Sequence, residues 1–373
     1  MVNNKKPHII IDARLYGPKN TGIGRYTKNL LLFLSQTKDF NKYKFTLIIN
    51  KSIESEIKND LQENFGYVST NIAHYSWQEQ IKLPFILYKL KPDLVHFTHF
   101  NKPILYFGRS IVTVHDLIKH YFKGKETTTK NPGIYWIKHL GYLIVSWIAI
   151  KTSYIIVPSN YWKEIIIKKF KINPQNIQTT YEAVDPQFIK TSQKPNLIVS
   201  NYIIYTGNLY PHKNISVVIQ ALKKMPNIQL KIICARTVFS QRLEKIIKHS
   251  KLIKRVSFLG YIDDAKFAQI YSKAIALVHP SLMEGFSLTG LEAMALNCPV
   301  ISSNSSCLPE IYDQSVLYFD PYSSTDLVSK IKLLQSSKTL RSKLINLGKK
   351  QLQKYSWNKT AQNTLDTYKN ILK

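Results

Sequence analysis

Short, continuously apolar runs that end in a polar or charged residue recur along this chain, and a helical pattern follows most of them. Such runs read as strands buried on both faces, the mark of a parallel sheet covered by crossover helices. The first set is HIIIDAR (8–14), YKFTLIIN (43–50), PDLVHFTH (92–99), SIVTVHD (110–116) and SYIIVPSNY (153–161). Between the first two, NTGIGRYTKNLLLFLSQ predicts a glycine-containing loop and a helix with Tyr26, Leu30 and Leu34 near one face. The pattern restarts with YIIYTGN (202–208), IQLKIICA (228–235), RVSFLGYI (255–262), AIALVHPS (274–281) and CPVISSN (298–304). The expected fold class is α/β, with two Rossmann-like doubly wound parallel-sheet domains facing a cleft. The 373 residues suit two domains, over 1–185 and 198–356. The polar stretch 178–202, with two prolines, reads as a linker, and WNKTAQNTLDTYKNIL (357–372) as a closing amphipathic helix.

Charge narrows the partners. Lysine and arginine total 52 against 23 acidic residues, a formal charge of +29. Arginine occupies only seven positions (14, 25, 109, 236, 242, 255 and 341), whereas arginine leads base-specific readout. No basic block resembles a nucleic-acid arm, so no nucleic-acid partner is expected. Solvated lysine faces, anionic substrates and an anionic membrane surface are all compatible with the balance. Cys234, Cys298 and Cys307 form no CxxC and are odd in number, which fits a reducing cytoplasm with no disulfide framework and no zinc site. The opening MVNNKKPHIIIDAR has no apolar stretch of signal-peptide length. The most apolar region, GYLIVSWIAI (141–150), is half of the ~20 residues that span a bilayer and predicts a buried or interfacial helix.

Ligands of doubly wound folds sit at the carboxyl ends of the strands. There the stretch HPSLMEGFSLTGLEAMALNCPVIS (279–302) places Glu284 and Glu292, eight apart, around a strand end, a loop and a helix beginning near Ser287. Helix-start N–H groups at 286–289 make an anion site. Paired carboxylates suit sugar and ribose hydroxyls better than phosphate. The structural alternatives are a capping box, Thr289-x-x-Glu292, and a solvated loop acid at Glu284. In TGNLYPHKN (206–214), Gly207 ends a strand and Lys213 stands at a helix start, an arrangement suited to a diphosphate. In TVHDL (113–117), His115 ends a strand, where it is either a structural hydrogen-bonder or a site residue. Gly22 and Gly24 in NTGIGRY allow close backbone approach to a ligand, although G-x-G alone is not a dinucleotide fingerprint.

As a set, these stretches resemble the retaining glycosyltransferases of family 4, which have the GT-B fold. EGFSLTGLE is similar to the family's E-x7-E signature. IDAR, NTGIGRYTKNL, PDLVHFTHFNKP, TVHDLI, VPSNY, YEAVDPQF, YTGNLYPHKN, FLGYI and SSNSSCLPEI follow in the expected order over nearly the full chain. The resemblance implies that Glu292 holds the donor ribose, and that Glu284 binds the transferred sugar near its 3- and 4-hydroxyls. It implies that backbone N–H groups of Gly285, Phe286, Ser287 and Leu288 bind sugar and phosphates, and that Lys213 neutralises the leaving diphosphate. His115 would lie beside the transferred sugar, with Gly22 and Gly24 touching diphosphate or acceptor. The 357–373 helix would return to the N-terminal domain. The chain departs from the family's frequent pattern at Asn208 and His212, where arginine is common, and in CAR (234–236), where Arg236 could compensate.

The implied activity is transfer of a mannose- or glucose-type hexose from a GDP- or UDP-sugar to a glycan or lipid-linked glycan in cell-envelope polysaccharide synthesis. Electrostatic stabilisation of the leaving group would carry the chemistry. Without a D-x-D motif suited to a metal-bound diphosphate, no metal and no further cofactor are expected. His115 would position rather than act as a base. The alternatives are a nucleotide-sugar hydrolase or epimerase of the same fold, and a non-catalytic anion- or glycan-binding protein. Lysines beside IKLPFILYKLK (81–91) and the 134–150 helix raise peripheral contact with an anionic inner-membrane face.

Overall fold

A computed structural model describes residues 5–17, 20–124, 131–190, 200–260 and 262–373. Residues 191–199 of the expected linker, and Tyr261 in RVSFLGYI, lie outside the described residues. The chain divides into two compact units. The first comprises the chain to Leu117, Gly133–Glu182 and Trp357–Lys373; the second comprises Ile118–Pro132 and Ala183–Ser356.

Among the described residues the first unit holds seven strands: β1 (His8–Asp12), β2 (Lys44–Asn50), β3 (Gly66–Thr70), β4 (Leu94–Phe97), β5 (Ser110–Thr113), β6 (Tyr154–Val157) and β7 (Ile177–Thr179). They run in the order β3-β2-β1-β4-β5-β6-β7, all parallel. The second holds β8 (Tyr202–Thr206), β9 (Gln229–Ile233), β10 (Val256–Phe258), β11 (Leu277–His279), β12 (Val300–Ser303) and β13 (Leu317–Phe319), in the order β10-β9-β8-β11-β12-β13. In both sheets the direction of winding reverses once, between β1 and β4 and between β8 and β11. Those reversals open the crevices where doubly wound sheets take ligands.

The apolar runs fill the cores as their continuity demands. Ile9, Ile10 and Ile11 of β1 are fully buried, as are Ile203 and Ile204 of β8. Tyr26, Leu30 and Leu34 share the buried face of the helix Thr21–Leu34. The expected linker is structured in its first part, because β7 takes residues to Thr179 and a helix runs Pro186–Lys190. The apolar stretch 141–150 is part of a longer helix, Pro132–Thr152, that is mostly exposed. The expected half-span is thus corrected to 21 residues, and of the two expectations, buried or interfacial, the buried one does not hold.

The closing helix, Trp357–Leu372, packs on the first unit. Trp357 lies 6.0 Å from the Tyr26 ring, and Thr360 donates to the Tyr181 carbonyl at 2.6 Å. Arg109 reaches the Ile371 carbonyl, and the Tyr368 hydroxyl meets His96 Nδ1 at 2.6 Å. Burial, with the nearby His115 adding to it, pushes His96 down to about 3, so its ring is neutral and needs that partner. Tyr368→Phe should orphan a buried ring nitrogen and cost ~1–3 kcal/mol, read as a lower urea midpoint. An unchanged midpoint would show that the helix is held by its apolar face alone.

Candidate active site

The crevice of the second sheet carries a dense polar cluster. β11 ends at His279, and the loop after it brings Glu284 back to the sheet edge. Glu284 is not the solvated loop acid of the structural alternative; it is buried, 6 % exposed. Lys213 Nζ donates to both carboxylate oxygens, at 2.7 and 2.8 Å. His279 Nε2 donates to Oε1 at 3.0 Å, because a carboxylate can only accept. Burial pushes the Glu284 carboxyl up, but Lys213 and His279 outweigh it and hold the group far below the usual carboxylate range. Lys213 arrives from the other side of the crevice, on a single turn Pro211–Lys213 after β8 and ahead of the helix Ile215–Lys223. The Leu282 N–H donates to the His212 carbonyl at 2.7 Å and ties the two loops together. Burial, reinforced by the Lys213 charge, brings His212 down to about 4, so this position contributes no cation where arginine would.

The loop is braced from behind. Cys307 Sγ lies 3.3 Å from the Glu284 carbonyl, and Ser306 accepts from the Glu284 N–H. Ser287 adopts a left-handed conformation, φ 77°, at the helix entry, which a non-glycine residue holds only when its surroundings fix it. Tyr312 fixes it: its hydroxyl donates to Ser287 and accepts from the Gly290 N–H. The helix runs Leu288–Ala295, so Thr289 is inside its first turn and cannot be the cap. The capping-box alternative for Glu292 is therefore overturned. Glu292 is buried within the helix, and its charge acts on Tyr271, whose hydroxyl bonds Thr206 at the end of β8. Both glutamates thus belong to the β8–β11 crevice.

Other expected residues fall as follows. Gly207 takes φ 128°, open to glycine only, where β8 leaves the sheet, and Asn208 is exposed beside it. Gly285 and Leu288 are half-buried on the loop and helix entry, whereas the Phe286 side chain is core, 5.3 Å from the Tyr355 ring. Arg236 is exposed beyond β9. Gly22 faces open space. Gly24 serves a different purpose from the one expected: a Cβ there would strike the backbone carbonyls of Leu15 and Gly17, so its close approach is to the chain itself.

His115 lies in the first unit, half-buried, with the Tyr26 ring edge-on at 4.7 Å. Its Nδ1 meets Glu182 at 3.2 Å and its Nε2 meets the Thr98 carbonyl at 3.0 Å. Both partners accept, so the ring carries both protons. Burial lowers its pKa, but Glu182 outweighs that and the net shift is upward. A doubly protonated ring can position and polarise but cannot act as a base. The crevice of the same sheet is locked by Arg14, which bonds Asp12 at 2.6 Å and Glu79 at 2.7 Å. Asp12, His74 and Glu79 have the types and spacing of metal ligands, but the Arg14 guanidinium already bridges the two carboxylates.

His279, Tyr312, Ser306, Cys307 and Glu182 were not singled out from the sequence. His279 carried a readable signal, a histidine closing a strand of the candidate stretch; the others act through long-range contacts. Lys213→Met should strip the buried Glu284 carboxylate of its lysine cation, costing about 3 kcal/mol at neutral pH. Glu284 is depressed in the fold, so its contribution is full above its ordinary 4.5 and is lost as acid approaches the lowered folded value. In the variant the carboxyl is raised and takes a proton readily. The stability gap to wild type should therefore narrow on acidification, as thermal melts across pH 3–8 would show; a constant gap would contradict the pairing.

The family model described as "Glycosyltransferase Family 4" matches residues 21–188, and that described as "Glycosyl transferases group 1" matches residues 189–351. The chain is 25 % identical over 346 residues to the O-antigen chain mannosyltransferase RfbU of Salmonella typhimurium, covering 88 % of this chain and 91 % of that protein. It is 26 % identical over 375 residues to the O-antigen chain mannosyltransferase B of Escherichia coli, covering 94 % and 96 %. Anabaena HepE, solved in complex with UDP, has the same fold with a TM-score of 0.70, at 15 % identity and covering 98 % of this chain and 100 % of that one.

Proposed function

The chain belongs to glycosyltransferase family 4, and from that premise we propose that it moves a hexose, of mannose type, from a nucleoside-diphosphate sugar to a glycan hydroxyl in cell-envelope polysaccharide synthesis. The observation that carries the reading is the buried Glu284 carboxylate, fixed by Lys213 and His279 at the winding reversal of the second sheet. An ionised, immobile acceptor suits two sugar hydroxyls, and a cation beside it suits the diphosphate. Glu292, equally buried, is the ribose partner. The mannosyltransferase relatives support mannose and hence a GDP donor; the UDP complex of the structural relative keeps the uridine donor as the alternative.

In the reaction, the bond between the sugar C1 and the diphosphate oxygen breaks, and the acceptor hydroxyl oxygen bonds to C1. Its proton passes to the leaving phosphate, while Lys213 offsets the charge that develops there. Attack from the face of the departing group would retain configuration. His115, already carrying both protons, positions the sugar. No residue is assigned to a metal. The acceptor is a lipid-linked glycan, reached from the cytoplasmic side with the enzyme peripheral on the membrane.

A thermal-shift panel of GDP, GDP-mannose, UDP and UDP-glucose tests the donor site. One base should stabilise the wild type, by ~2.7 kcal/mol at a hundredfold excess over Kd, and Glu292→Ala should lose most of that gain. Hexose transfer to a lipid-linked glycan extract from the stabilising donor should follow. No shift with any nucleotide would overturn the reading.

A further inference from the structure

The helix Pro132–Thr152 is amphipathic with its faces reversed. His139, Ser146, Ala149 and Ile150 face the protein, whereas Ile134, Trp136, Ile137, Leu140, Ile144 and Trp147 are at least half or nearly half exposed. A second helix of the same unit, Trp77–Leu90, exposes Trp77, Ile81, Phe85 and Tyr88, spaced to share one face. The segment after β4 joins the two helices and adds Leu105 and Phe107, the latter 82 % exposed. It is bound on one side to Tyr88, through the Leu105 carbonyl and the Phe107 N–H. On the other, buried Lys102 donates to Thr152 at the helix end, and Phe100 packs 5.2 Å from the Tyr142 ring. Exposed apolar area on this scale is the mark of an interaction surface.

Charge selects the occupant. The helix Pro132–Thr152 contains no acidic residue and carries Lys138 and Lys151 on its exposed side. The helix Trp77–Leu90 has one carboxylate, Glu79, which is buried on Arg14, and exposed Lys82 midway along it, with exposed Lys89 and Lys91 at or just past its end. Apolar and tryptophan side chains flanked by lysines match the boundary of an anionic bilayer. We infer that this side of the first unit docks on an anionic membrane, with the helix Pro132–Thr152 lying in the plane of the interface rather than crossing it.

By length and composition that helix could span a bilayer. The sheet forbids it. β5 precedes the helix and β6 follows it, and the two strands are hydrogen-bonded neighbours, with Ile111 opposite Tyr154. A helix that spanned ~30 Å of hydrocarbon and ended at β6 would force the chain between β5 and the helix, with Asp116, Lys119 and Lys123, to cross back through it. The link to a lipid-linked acceptor rests on the proposed function; the docking itself does not.

Co-sedimentation with phosphatidylglycerol/phosphatidylethanolamine vesicles, against phosphatidylcholine vesicles, tests the inference. The wild type should pellet with the anionic vesicles at ~0.1 M salt and be released by alkaline carbonate, as an in-plane protein is. The triple variant Phe85→Ser, Ile137→Ser, Trp147→Ser should bind at least tenfold more weakly. Lys82→Gln, Lys89→Gln, Lys91→Gln should lose the preference for anionic lipid. Both variants should keep the wild-type thermal shift with nucleotide, which separates lost docking from lost folding and from failure of the donor site. Absence of wild-type binding, carbonate-resistant binding, or undiminished binding by the triple variant would each overturn the inference. So would a wild-type oligomer that ignores vesicles and is dispersed by the triple variant, which would make this face a contact between copies.

Discussion

A single buried carboxylate organises the second unit. Taking the Glu284 charge out of water is costly, and the fold meets that cost by converging on it from several directions. Lys213 comes from the end of β8, His279 from the end of β11, and Ser306 with Cys307 from the segment after β12. These elements flank or adjoin the reversal in strand order, so the sheet topology and the charge cluster impose the same geometry. The strained entry of the following helix, held by Tyr312 on Ser287, aims the loop backbone at the same place. Rigidity obtained this way is what a donor site needs, because electrostatic stabilisation works only when the groups do not reorganise during the reaction.

The first unit solves a related problem differently. At its own reversal, Arg14 ties Asp12 of β1 to Glu79, and the Thr98 hydroxyl bonds the Asp12 carbonyl across to the end of β4. His115 is clamped between Glu182 and Thr98 and holds both protons. The charged groups at that reversal bond one another, and the unit's most unusual surface is apolar. Charge chemistry belongs to the second unit, while the first presents a greasy, lysine-flanked face.

Much of this was legible in the sequence. Buried strands of parallel sheets are continuous apolar runs, and HIIIDAR, YIIYTGN and AIALVHPS announced β1, β8 and β11 within a few residues. Short or half-exposed strands such as β3 (GYVST), β7 (IQT) and β13 (LYF) carry too few apolar side chains to stand out, and only pairing with a neighbour makes them strands. Glu284, Glu292 and Lys213 stand out as candidates because each lies where a loop, strand end and helix start are close in sequence. The Lys213–Glu284 pair itself, the Tyr312 brace and the His115–Glu182 clamp do not, since partners 71, 25 and 67 residues apart leave no local pattern. Gly24 shows the reverse error: a glycine read as room for a ligand is room for the chain's own loop.

Calorimetric titration of the preferred nucleoside diphosphate, and of its hexose conjugate, into the wild type and Glu284→Gln reads the role of the buried carboxylate directly. If Glu284 holds the hexose while Lys213 serves both it and the diphosphate, the variant loses the affinity added by the hexose. The bare diphosphate then binds as well as before, or tighter, because Lys213 is released from its carboxylate. Equal weakening toward both ligands, or no change toward either, would contradict the account.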